Sequence, residues 1–327
     1  EPNHTFVVVC GHAGVKTGED GPTHAEPQAL QVFQENFPGD VMITLTPWDP
    51  NELWPLVAES LLQRPAVLAP FVTRPNEVLV DRAELGLAPP EAAVKGVYKL
   101  LEANGTPEAT VIYQGSDVAY AFLQGVLPQL RQTGMNLDVY YIPSVELFDR
   151  LDADERHAIF PASVAQSAMM FTGFTAATTY RWVMSERGRE FTHYPWHQGY
   201  FLGSGPGEVC LEQAGMHGEA QWELIRRFVK GGRPAQLRSA RLGERRHGRS
   251  IEARFQRAPS RGRCQNHRVR RLGHAAAVPR RHTAGTSGHA AQGRTVRRVA
   301  HGTFRHRWRG RPALPAARAQ QQRRGAG

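Results

Sequence analysis

Lysine and aspartate are missing from the last third of this sequence. Between Gly231 and Gly327 there are 25 Arg, no Lys, no Asp and 2 Glu. Ile251 is the segment's one isoleucine, and Phe255, Phe304 and Trp308 are its only aromatics. The segment carries a formal +23 inside a 327-residue chain whose net charge is +10. Residues 1–230 hold 15 Lys and Arg against 28 Asp and Glu, a net charge of −13. The basic balance of the whole chain is therefore a property of its tail and does not make residues 1–230 a nucleic-acid binder. Cysteine is also scarce. Cys10, Cys210 and Cys264 form no CxxC pair and are odd in number, which excludes a disulfide framework and indicates a reducing compartment. No apolar run reaches the length of a bilayer span, and the start lacks a signal peptide's basic and apolar regions. We expect a cytoplasmic protein with no membrane partner. The chain begins at Glu1 and enters a β-rich run within five residues, which reads as a cut end.

The tail has two readings. Without apolar periodicity it cannot bury enough surface to offset its conformational entropy, so residues 231–327 are expected to be disordered. One reading is a basic nucleic-acid arm. The other is GC-rich DNA translated in a shifted frame, which yields Arg, Ala, Gly and Pro without Lys or Asp. A working arm mixes Lys with Arg and carries aromatics for base stacking, so the composition favours the shifted frame. Nucleic acid would then bind the tail only non-specifically and in a salt-sensitive way.

The informative stretch is the loop Gly11–Pro27, GHAGVKTGEDGPTHAEP. Before it, Thr5–Cys10 is rich in β-branched residues and reads as a buried strand. After it, Gln28–Phe33 reads as a helix with Pro27 in its first turn. Loops at the carboxyl ends of strands are where α/β sheets bind ligands. This loop places His12, Glu19, Asp20 and His24 at such an end. Two more strands follow, Val41–Leu45 and Ala66–Val72, with a helix from the turn Pro47–Glu52 through Leu61 between them. Pro70 lacks a ladder donor and suggests an edge or bulge in the third strand. Alternating strands and helices predict a parallel, doubly wound sheet. Arg74 then falls on the same rim as His12, and a guanidinium there suits a phosphate ester.

His12 followed by Gly18–His24, GEDGPTH, resembles the donor-sugar loop of transketolases, in the domain that holds the thiamine pyrimidine. Ala13 and Gly14 depart from the Asp-Ser pair that commonly follows the histidine there. Asp49-Pro50-Asn51-Glu52 resembles the family's D-x-N-E stretch. The resemblance implies that His12 and Arg74 bind the sugar phosphate, that Asp20 contacts substrate hydroxyls, and that His24 lies beside the reacting carbons as the catalytic histidine. It assigns Glu19 a structural role in the loop. It also implies thiamine diphosphate and Mg²⁺ as cofactors, a sugar phosphate as substrate and a homodimeric enzyme.

The segment after Asn76 reads as a connector holding Ala88-Pro89-Pro90 and a helix from Glu91 to Ala103. A second α/β unit follows, with a strand at Thr110–Gln114, a helix from about Val118 to Gln132 and a strand over Leu137–Ser144. Gly115-Ser116-Asp117 resembles the G-S-E turn that opens the transketolase C-terminal domain; turn chemistry alone explains it, with Ser or Asp capping the helix. Met169, Met170, Phe171, Phe174 and Trp182 read as core. His193 and His197 are four apart but flank Pro195, so a packed loop is a better reading than a metal pair. Gly203–Gly207 resembles the family's late G-x-S-G segment and lacks the Lys-Ser/Thr of a phosphate loop. Trp222, Ile225, Phe228 and Val229 mark one face of a closing helix.

The expected organisation is therefore α/β. Residues 1–78 form a partial doubly wound, parallel-sheet pyrimidine-binding domain, 79–108 a linker, 109–230 a smaller C-terminal α/β domain and 231–327 the basic tail. The resemblance covers residues 1–230 and enters the pyrimidine domain midway. It places the thiamine-activating glutamate, the pyrimidine-stacking aromatics and the diphosphate–Mg²⁺ domain upstream. It implies an incomplete transketolase, inactive alone, whose partner is a missing N-terminal half or a homodimer mate. A deoxyxylulose-phosphate or dihydroxyacetone synthase type is the alternative within the superfamily. A non-catalytic subunit with a nucleic-acid-binding tail is the alternative outside it.

Overall fold

The computed structural model describes residues 4–16, 27–200 and 202–231. The chain divides after Ala258, and every described residue precedes that point. The expected disorder of the tail, and the calls on Glu19, Asp20 and His24, lie outside the described residues.

The first sheet has three parallel strands in the order β1 (Phe6–Val7), β3 (Val67–Pro70), β2 (Met42–Leu45). Helix α1 (Pro27–Phe33) precedes β2, and α2 (Pro50–Leu62) joins β2 to β3. Asp49 caps α2 by accepting the Asn51 N–H at 2.9 Å, as expected of a β-region Asp before a helix. Two expectations about this sheet are corrected. The run Thr5–Cys10 is not buried: Phe6, Val7 and Val9 are 68%, 48% and 63% exposed, because β1 is an edge strand paired on one side only. And β3 is central rather than an edge. The amides of Val67 and Phe71 bond to β2, whereas that of Val72 bonds to Cys10. By alternation the donor that Pro70 lacks faces β1, where the ladder stops at Val7 and resumes only as a Cys10–Phe71 bridge. The proline shortens β1 and leaves the β2 ladder intact.

The second sheet has the order β4 (Tyr98–Leu101), β6 (Leu137–Tyr141), β5 (Ala109–Gln114), β7 (Ala168–Thr172), with β4 antiparallel and the rest parallel. β4 replaces the second half of the helix expected over Glu91–Ala103, whose first half is a short 3-10 turn, Pro90–Lys95. The helix after β5 is broken. α3 (Ser116–Ala121) passes through one wide π turn, Phe122–Val126, into α4 (Leu127–Thr133). Pro128 offers no amide to the preceding turn, so the ladder must open there. Around β7 lie α5 (Val145–Asp149), α6 (Ala153–Ile159), α7 (Ala162–Ser167) and α8 (Glu186–Phe191). The chain continues through α9 (Gly207–Gln213) to α10 (Gly218–Val229), which buries Trp222, Leu224, Ile225 and Phe228. α10 crosses the π turn at two glycines: a Cβ on Gly125 would lie 2.4 Å from the Gly218 Cα. The stripe Met169, Met170, Phe171, Phe174 and Trp182 is buried, as read from the sequence.

The two sheets share one hydrophobic core, in which Ile43, Leu45 and Trp48 of the first pack with Val111, Tyr113 and Tyr141 of the second. Polar groups fix the register of that seam. Thr44 donates to Glu146 Oε2 through its N–H (3.0 Å) and its hydroxyl (2.7 Å). Thr46 donates to the Ile142 carbonyl at 2.8 Å, and the Tyr141 hydroxyl donates back to the Thr46 carbonyl at 2.7 Å. Such bonds contribute about 1 kcal/mol each when made and cost more when one partner is removed.

Candidate functional site

The site begins where β1 and β3 end. Cys10 and Val72 exchange backbone bonds into the loops beyond them: the Val72 N–H donates to the Cys10 carbonyl (2.9 Å) and the Ala13 N–H to the Val72 carbonyl (3.3 Å). Two adjacent parallel strands therefore release their loops side by side, and His12 meets Arg74. Arg74 Nη1 lies 3.3 Å from His12 Nε2. A guanidinium has no lone pair to offer, so it donates and the imidazole accepts. Arg74 is exposed and His12 half-buried. A cleft of about 440 Å³ opens beside Arg74, lined by Trp48, Asp49, Leu53, Thr73, Asn76 and Ser116 among others.

The loop is tied down on both sides. Lys16 Nζ donates to Glu77 Oε2 at 3.1 Å, linking it to the segment that carries Arg74. Burial pushes the Glu77 carboxyl up, partly offset by Lys16. Lys16 also comes within 3.9 Å of Glu208 and packs on Gly207, where a Cβ would sit 2.5 Å from the lysine Cγ. On the other side, the Val15 N–H donates to Asp117 Oδ2 at 2.8 Å. Gly115 takes the N-cap position of α3 without a side-chain bond, and Asp117 in the first turn accepts the Val118 N–H through Oδ1 at 2.9 Å. Ser116 and the other Asp117 oxygen turn toward the first sheet. The Ser116 hydroxyl donates to the Trp48 carbonyl at 3.0 Å, while Asp117 takes the Val15 amide.

The D-x-N-E stretch forms the floor under the cleft. Asp49 and Glu52 are buried, and both pair with the buried Arg82 at 2.8 and 2.9 Å. Tyr98 donates to Glu52 Oε1, and the Trp48 indole N–H donates to the Tyr98 oxygen at 2.9 Å. Arg82 also lies over the Trp48 ring, 4.4 Å from its centroid. Burial pushes the Glu52 carboxyl up against the opposing pull of Arg82. Burial works against the Arg82 charge, but Tyr98, Glu52 and Asp49 outweigh it and its pKa is raised. These carboxylates are committed to Arg82 and hold Trp48 and the cleft wall in place.

The structure thus brings together His12 and Arg74, two of the four residues singled out from the sequence; Asp20 and His24 lie outside the described residues. Sequence reasoning missed Lys16, Glu77, Arg82 and Asp117. Only Asp117 carried a signal, the G-S-E resemblance, and it was read as a cap. His193 and His197 lie elsewhere, beside β7, with ring centroids 3.8 Å apart. Among the described residues no group of three or more His, Cys, Asp and Glu side chains is placed to hold a metal ion.

Residues 96–215 match the family model of the transketolase-like TK C-terminal domain. Over 220 residues the chain is 30% identical to a transketolase of Streptococcus pyogenes serotype M6, covering 65% of this chain and 27% of that one. Its fold is similar to transketolase from Leishmania mexicana, with a TM-score of 0.55 at 19% identity over 69% of this chain and 30% of that chain. It is also similar to a Pichia stipitis transketolase solved in complex with sedoheptulose 7-phosphate, with a TM-score of 0.51 at 22% identity over 72% and 32% of the two chains. The chain spans about a quarter of the length of the curated relatives it matches.

Proposed function

We propose that this chain, which matches the transketolase-like C-terminal domain over residues 96–215, is a member of the transketolase family and forms the donor-sugar side of a thiamine diphosphate-dependent transferase. The reaction is movement of a two-carbon ketol unit between sugar phosphates. The observation that carries this reading is the Arg74–His12 contact at 3.3 Å on the carboxyl rim of a parallel sheet. Arg74 holds the phosphate as a bidentate donor. His12, 3.3 Å from Arg74, is the second side chain at that phosphate. Asp20 contacts sugar hydroxyls and His24 lies beside the reacting carbons. Residues 1–230 carry −13 overall, so a local cation is needed for an anionic sugar to approach. Arg74 supplies it within the roughly 8 Å over which charges act at physiological salt. The sugar phosphate bound by the Pichia stipitis relative supports this substrate class.

Thiamine diphosphate, when bound, supplies the carbanion chemistry of this family. The described residues do not fit its Mg²⁺, and no step is assigned through it. The partner is the remainder of a transketolase, as a separate polypeptide or a homodimer mate, in the cytoplasm. Calorimetric titration of the chain with xylulose 5-phosphate and with xylulose tests the reading. The phosphorylated sugar should bind more tightly, and Arg74→Ala should weaken it about tenfold or more, as loss of a charge-assisted bidentate contact does. Equal binding of both sugars, or unchanged binding after Arg74→Ala, overturns it.

A further inference from the structure

Asp117 belongs to the second sheet, yet its carboxylate is built into the loop that carries His12. It is 0% exposed. Oδ2 accepts the Val15 N–H at 2.8 Å, and Oδ1 accepts the Val118 N–H at 2.9 Å. Three glycines from three segments leave the room it fills: a Cβ on Gly14, Gly115 or Gly173 would stand 2.4, 2.7 or 2.3 Å from a carboxylate oxygen. Gly14 has a φ of +75°, a conformation that costs glycine little and other residues more. Bonds between a buried carboxylate and backbone amides are strong and directional, and this one lies three residues from His12. Lys16, one residue further, ties the same loop to Glu77 on the Arg74 segment.

We infer that Asp117 is a positioning residue: it sets the loop that brings His12 to Arg74, so the second sheet controls the geometry of the phosphate site. This rests on the reading of His12 and Arg74 as that site. The full chain is first titrated with xylulose 5-phosphate beside Arg74→Ala. No binding by the wild type, or equal binding by Arg74→Ala, removes the phosphate reading, and this inference with it, before any Asp117 variant is measured.

With the site established, Asp117→Asn keeps the volume but has one acceptor for two amides. The expected result is about tenfold weaker binding of xylulose 5-phosphate, a geometric rather than a charge effect. Arg74→Ala should then cost less in the Asp117→Asn background than alone. The ¹⁵N ring signals of His12 should shift, because its contact with Arg74 changes. A purely structural Asp117 predicts faster exchange of the Val15 amide with binding and the His12 signals unchanged, and that result overturns the inference. If Asp117→Asn does not fold, Gly14→Ala carries the test, because its Cβ intrudes on the same carboxylate from the loop side. It should reproduce the loss of affinity; wild-type affinity in a folded Gly14→Ala overturns the inference.

Discussion

Arg82 has given up nearly all its water to sit between Asp49, Glu52 and the Trp48 ring. A buried ion pair of this kind adds little net stability, but removing one partner strands the others. Arg82→Leu should therefore lower the unfolding free energy by about 3–5 kcal/mol, read from urea melts. Adding Asp49→Asn and Glu52→Gln should recover part of that loss. If the triple variant is no more stable than Arg82→Leu alone, the stranded charges are not the cause. The same residues show what a sequence hides. Asp49 and Glu52 stand out as a motif, but their partner lies beyond α2 and β3, in a segment read as a connector. Arg74 was legible because strand order alone puts it on the rim with His12. Asp117 was not, because a Ser-Asp after a strand fits a helix cap equally well, and only the neighbouring sheet decides between them.

At the scale of elements, period-two burial was written into Tyr98–Leu101, where buried and half-buried residues alternate, but Lys, Leu, Glu and Ala favour helix and obscured it. Thr5–Cys10 shows the converse: β-branched residues mark a strand correctly and say nothing about whether it lies at an edge. The strand-like segment beside β7 has a pH consequence. His193 is bridged to Phe171, and its ring lies tilted against that of His197. Burial, with His197 as a second cause, lowers the His193 pKa from 6.5 to about 3, and burial lowers that of His197 too. In the unfolded chain both protonate near pH 6.5, whereas the native His193 stays neutral down to about 3. The stability it supports is thus fully present above 6.5 and is lost as pH falls through that window, at about 1.4 kcal/mol per pH unit. Urea midpoints at pH 7 and pH 5 should differ by more in the wild type than in His193→Gln. An equal difference in both proteins would show that His193 does not titrate on unfolding.

For the whole molecule, the two sheets share one core and the first carries His12 and Arg74 together at its rim. The proposed chemistry needs a carboxylate to activate thiamine and a metal-assisted seat for its diphosphate, and among the described residues no group of three or more His, Cys, Asp and Glu is placed to hold a metal. The family resemblance puts both upstream, and the chain spans about a quarter of its curated relatives. We therefore predict that the purified chain, given thiamine diphosphate, Mg²⁺, xylulose 5-phosphate and ribose 5-phosphate, transfers ketol units at the background rate. Clear turnover would falsify the assignment of the activating groups to another segment. In an enzyme completed with the upstream part of a relative, the roles should separate by kinetics. Phosphate binding is nearly the same in ground and transition states, so Arg74→Ala should raise KM for phosphorylated donors about tenfold or more and leave kcat close to wild type. If Asp20 and His24 have the roles proposed for them, His24→Ala and Asp20→Ala should lower kcat instead. Arg74→Ala with an unchanged KM, or with equal effects on phosphorylated and unphosphorylated donors, would make Arg74 a solvated charge, and the phosphate would have to be held by other groups.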